Sequence, residues 1–80
     1  MLQDGKEYSY LIGSDVTRDG MYVEVNDGAN GTDEIIEIFY SDVTHKMSVT
    51  LYRSDIPLEV VEWAISIARE RLPVNMGATD

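Results

Sequence analysis

Eighty residues carry 15 Asp and Glu against six Lys and Arg, a net charge of -9 at pH 7. With 44% hydrophobic and 26% charged residues, the chain has the profile of one folded domain over 1–80, not of a disordered segment. The lack of cysteine excludes a disulfide framework, a thiolate nucleophile and a Cys-based zinc site, and one histidine excludes a His-rich metal site.

The opening stretch MLQDGKEYSY lacks the basic start and apolar run of a signal peptide. No apolar run approaches the roughly 18 residues of a membrane span, so a cytoplasmic protein is expected. Residues 1–6 are polar and read as a flexible end. Glu7 to Ile12 is aromatic and β-branched enough for a strand. Ser14 to Gly20 is turn-prone, and Met21 to Val25 alternates as a second strand. Asn26 to Asp33 reads as a loop, with Asn30-Gly31 suited to positive φ. Glu34 to Tyr40 and Met47 to Arg53 alternate again, separated by the polar turn Ser41 to Lys46. The period then changes. Pro57 to Leu72 fits a helix with Pro57 at its first position, Glu59 in the first turn, and Arg69 and Arg71 in the last. Pro73 stops it, and residues 74–80 read as a flexible tail. The expectation is an α+β domain, a four-stranded antiparallel meander (ββββα) with one C-terminal helix packed on one face.

A short echo, Ser14-Asp15-Val16-Thr17 and Ser41-Asp42-Val43-Thr44, reads either as shared turn chemistry or as a duplicated hairpin. The helix is apolar over a wide arc. Stepping about 100° per residue, Val61, Leu72, Ala68, Ile65, Leu58 and Ala64 form the stripe expected to cover the sheet. Val60, Trp63 and Ile67 form a second apolar shoulder, whereas a helix on one sheet needs a stripe of only about 100°. Either the shoulder is core under a curled sheet, or it is a contact surface centred on Trp63. A second copy of the chain is the partner expected for it, since two-fold dimers are the commonest oligomers and small chains gain burial by associating.

Of the two sheet faces, the Met21, Val23, Val25, Ile36, Ile38, Met47, Val49 and Leu51 rows suit the helix. The other would carry Tyr22, Glu24, Ile35, Glu37, Phe39, Ser48, Thr50 and Tyr52. Aromatic rings beside carboxylates favour cations, so Tyr22, Glu24, Glu37, Phe39 and Tyr52 are a candidate face for a ligand or partner. Ordinary cross-strand packing is the other reading of that face.

Residues 1–45 hold ten acids and two bases, and residues 46–80 hold five acids and four bases. From Asp19 to Thr44 there are seven acids and no Lys or Arg. That excludes phosphate-tracking nucleic-acid contact and disfavours an anionic membrane surface, while permitting a basic protein partner. The loop Asn26 to Glu37 departs from a calcium loop at its first and third positions, Asn26 and Gly28. His45 sits in a turn, with Asp42 as a possible local partner and no nucleophile beside it. Glu24 with Glu37 could form a carboxylate pair. No phosphate-binding glycine loop, nucleophile elbow or dinucleotide fingerprint is present.

In size and charge the chain resembles short acidic accessory proteins of bacteria, a likeness with no motif behind it. The expectation is a non-enzymatic module without cofactor or metal, acting by contact as a homodimer, with sequestration or inhibition of a basic protein as a role. Binding of a cationic or aromatic small molecule on the open sheet face is the alternative.

Overall fold

The computed structural model describes residues 1–28 and 33–72. Asn30-Gly31, Pro73 and the tail 74–80 lie outside the described residues. The elements are β1 (Leu2–Gln3), β2 (Lys6–Asp15), β3 (Gly20–Asp27), β4 (Asp33–Ser41), β5 (Met47–Leu51) and α1 (Leu58–Arg71). The strands form one antiparallel sheet in chain order, β1-β2-β3-β4-β5, and α1 packs on β3 and β4. The class is the expected α+β meander with a C-terminal helix, with five strands in place of four.

The extra strand comes from the segment expected to be loose. Asp4 and Gly5 both have positive φ, 53° and 78°, as a two-residue hairpin turn requires. They fold Leu2 and Gln3 back onto Glu7 and Lys6. The terminal ammonium donates to the Tyr8 carbonyl at 2.7 Å, and the Tyr8 N–H donates to the Met1 carbonyl at 2.7 Å.

The β2–β3 and β4–β5 hairpins share one turn chemistry. Asp15 Oδ1 accepts from the N–H groups of Thr17 and Arg18, and Ser41 Oγ accepts from those of Val43 and Thr44. Each turn ends on a residue with positive φ, Asp19 or His45. Asp15 therefore corresponds to Ser41 and Asp19 to His45. The four-letter echo, which aligns Asp15 with Asp42, is one residue out of step with the structure, so the likeness is one of turn chemistry.

A β-bulge interrupts the alternation. The β3–β4 register shifts between Val25 and Asn26, pairing Val25 with Ile36 but Asn26 with Glu34. Ile35, which strict alternation puts on the far face, is 1% exposed and belongs to the core with Ile36. One bulged residue changes the side on which everything before it lies.

The core comprises Tyr8, Val23, Val25, Ile35, Ile36, Ile38 and Tyr40 from the sheet, with Val60, Ala64, Ile67, Ala68 and Leu72 from the helical segment. The helix is turned about 60° from the orientation expected of its stripe, by the same 100° step. Val60 and Ile67 are 0% and 8% exposed, so they seal the monomer and supply no exposed shoulder. Burying each contributes about 1.5–3 kcal/mol. Two alanines on the buried line, Ala64 and Ala68, let the helix lie close to the sheet. Pro57, with φ -54° and ψ 137°, is the N-cap; the helix starts one residue later than expected. Its carbonyl accepts from the N–H groups of Val60 and Val61.

Candidate functional site

The rotation of α1 decides what remains uncovered. On one shoulder, half-buried Trp63 meets Tyr10 of β2 edge to face, with ring centroids 5.7 Å apart and planes at 85°. Arg71 Nη1 lies 3.5 Å from the same tyrosine's hydroxyl. The expected contact trio Val60, Trp63 and Ile67 is thus not a common outward surface: two members are core and the third packs on β2.

On the other shoulder, the helix does not reach across to cover β5, and Ile65 borders the gap beside Met47 and Val49. Register puts Met47, Val49 and Leu51 on the helix side, opposite Tyr40, Ile38 and Ile36. They stay 36%, 50% and 54% exposed. A groove of about 340 Å³ runs between strand and helix, lined by Ile38, Met47, Val49, Ile65, Ala68 and Arg69. Among the described residues, no strand pairs with the outer edge of β5. Met47-Ser48-Val49-Thr50-Leu51 carries no charge, no proline and no bulge, the usual devices that keep an edge from pairing.

Apart from Ile35, which the bulge moves into the core, the far face brings together the residues expected there. Tyr22 pairs with Phe39 and Glu24 with Glu37 across β3 and β4. The Tyr22 ring lies over Gly13, where an added Cβ would meet its hydroxyl at 2.5 Å. Tyr52 feels Glu37, Glu34 and Glu24; partial burial first, and these charges second, push its phenol upward. Three residues missing from the expectation complete the cluster. The guanidinium of Arg18 lies 4.1 Å above the Phe39 ring. It donates to both carboxylate oxygens of Glu37, at 2.9 and 3.3 Å, and to Asp15 at 2.6 Å. These bonds raise the Arg18 pKa and lower that of Asp15. Glu34, brought to this side of the bulge, is pushed up by desolvation and then by Glu24 and Glu37.

The face therefore holds a cation, and the cation is its own. An external guanidinium or ammonium meets a seat over Phe39 and Glu37 that Arg18 fills. The Glu24–Glu37 pair faces as expected, but Glu37 is engaged by Arg18. The acidic run is likewise answered from outside itself: Arg53 bridges Asp27 and Asp33 at 2.7 and 2.5 Å, and Lys6 reaches Asp27 at 3.3 Å. His45 Nδ1 is 2.9 Å from the Tyr40 hydroxyl, a tertiary contact in place of the local one to Asp42.

Among the described residues, no cluster of His, Asp or Glu has the geometry to hold a metal ion, and no helix is long and apolar enough to cross a membrane. Comparison with family models, curated proteins and solved structures finds no match.

Sequence reasoning missed the open β5 edge, although two signals were present. The last strand of a meander is an edge, and this strand is uncharged in a chain of net charge -9.

Proposed function

We propose that the chain is a non-enzymatic cytoplasmic module that works by protein contact, through the β5 edge and the groove between β5 and α1. The observation that carries this reading is the pairing of an uncharged, unprotected edge strand with exposed apolar side chains on its helix side. Five of the ten exposed large apolar side chains among the described residues lie between positions 47 and 58: Met47, Val49 and Leu51 on the helix side of β5, Tyr52 on its far side, and Leu58 at the start of α1. An exposed strand edge supplies main-chain hydrogen bonds to an added strand, and alternate side chains supply selectivity.

A basic partner, the other contact expected of this chain, would address the opposite face, where Glu24, Glu34 and Glu37 gather around Arg18. A small-molecule cation is disfavoured there, because it must displace a bidentate ion pair and a ring contact at once.

The reading is tested by placing a photoreactive side chain at position 49 in the native cell. A discrete adduct of defined mass supports contact through this edge. An uncrosslinked chain throughout, with a control label at Val43 behaving the same, overturns it.

A further inference from the structure

We infer that the partner at this edge is a second copy of the chain, joined β5 to β5 in antiparallel register about a two-fold axis at Val49. This rests on the contact reading above and names its occupant. An antiparallel pair centred on Val49 sets Val49 against Val49 and Met47 against Leu51 of the partner subunit, all on the helix side. Ser48 then faces Thr50 of the partner subunit on the far side. Every facing pair matches apolar with apolar or hydroxyl with hydroxyl, and facing side chains on adjacent strands lie within contact distance. The strand is complementary to itself.

Charge points the same way. Two chains of net charge -9 repel, so a self-contact belongs where the acids are fewest. Residues 1–45 carry ten acids and two bases, whereas residues 46–80 carry five and four. Within Met47–Leu51 there is none of either sign, and Lys46 and Arg53 flank it. A strongly basic partner gains nothing from this edge and everything from the opposite face. A second copy is itself acidic, and the uncharged β5 seam, flanked by Lys46 and Arg53, is where its approach costs least.

The remaining open edge does not offer the same fit. β2 has an outer edge beyond its short pairing with β1 at Lys6 and Glu7, and that free stretch ends on the charged Asp15. On its helix side Tyr10 is taken by Trp63. Pairing at β5 joins two five-stranded sheets into one of ten strands and brings the two grooves side by side. A standard interface takes about 800 Å² from each partner, and the strand edge with the groove beside it, lined by Met47, Val49 and Ile65, is the surface from which to draw it.

Three experiments test the register. The chain has no cysteine, so Val49→Cys introduces a single thiol at the proposed axis. Facing residues of an antiparallel pair have Cα atoms about 4.5–5.5 Å apart, within the span of a disulfide. Mild oxidation should link Val49→Cys into a dimer, while Val43→Cys, on an exposed turn, should stay unlinked. In sedimentation equilibrium the wild-type chain should weigh twice its 9.0 kDa. Val49→Lys and Val49→Asp should each self-associate about a hundredfold more weakly, because like charges meet at the axis. An equimolar mixture of the two should recover the dimer.

A wild-type chain that stays monomeric at about 100 μM overturns the second copy as occupant. The contact reading then stands or falls separately, on whether the label at position 49 gives an adduct to a different chain. Retention of the dimer in Val49→Lys overturns the edge. Failure of the mixture to recover, or equal linkage of Val43→Cys and Val49→Cys, overturns the register. Should a charged variant lose its helical signal, the Val49→Cys comparison still decides the matter.

Discussion

The two outer strands of this sheet are treated differently by the same helix. Over β2, Trp63 closes on Tyr10 and Arg71 reaches the tyrosine hydroxyl; the strand also carries charges, and the β1 hairpin covers part of its edge. Over β5 nothing closes among the described residues. Met47, Val49 and Leu51 stand a third to a half exposed beside a groove, on a strand without a charge. A helix of 14 residues cannot roof five strands, and the position of its bulky residue decides which flank it roofs. Here the indole is on the β2 side, and the small residue Ala68 with the stem of Arg69 lines the β5 side. The side that is left open is the side whose chemistry suits a strand-to-strand contact.

The difference can be broken in order of size. Ile36 is fully buried beneath α1, so Ile36→Ala should cost about 2–5 kcal/mol in urea unfolding and weaken both flanks together. Trp63→Ala should cost roughly 2–3 kcal/mol, less than a fully buried tryptophan, and leave self-association unchanged. Val49→Lys should do the reverse: in dilute solution its melting temperature stays close to wild type, while association is lost. A common response of Trp63→Ala and Val49→Lys in both assays contradicts the division of labour between the two flanks.

Smaller effects come from the far face. Arg18→Ala removes a half-exposed guanidinium from Glu37, Asp15 and the Phe39 ring, and should cost about 1 kcal/mol or less in thermal unfolding. The smallest is a pH effect with two signs. Glu34 has its folded pKa raised above 4.5, so its contribution to stability is complete below that value and is lost as pH rises through the folded pKa. Asp15 and Asp27 have theirs lowered below 3.8, by Arg18 and Arg53 respectively, so their contribution is present above 3.8 and lost as pH falls through the folded values. Melting temperature should therefore pass through a maximum between about 3.8 and 4.5, read in a low-salt pH series. A monotonic fall from neutral pH contradicts the Glu34 assignment. Self-association through an uncharged strand should change little between roughly pH 5 and 8.

The strands and the helix were legible because alternation and a 3.6-residue period are local properties of the chain. The Asp4-Gly5 hairpin was legible in principle, since that dipeptide is a standard two-residue turn, but a two-residue strand carries no periodicity to announce it. The bulge was not: nothing in Glu34-Ile35-Ile36 says which isoleucine is the extra residue, and that choice moves Ile35 into the core and Glu34 out to Glu24 and Glu37. The rotation of α1 was hidden for a related reason. An arc containing Val60, Val61, Trp63, Ile65 and Ile67 has more than one apolar centre, and the sheet selects the one where Ala64 and Ala68 permit close approach. The tyrosine, phenylalanine and glutamate face was readable from alternation, but its own cation was not, since Arg18 reaches Glu37 from a turn 19 residues away.

Amide hydrogen exchange on the wild-type chain, followed residue by residue across a dilution series, addresses the seam most directly. The account predicts that outward-facing amides of residues 47–51 are protected at high concentration and lose protection on dilution, while those on the outer edge of β2 exchange at the same rate throughout. Outward β5 amides that exchange freely at every concentration, or a concentration dependence that falls on β2, would contradict it.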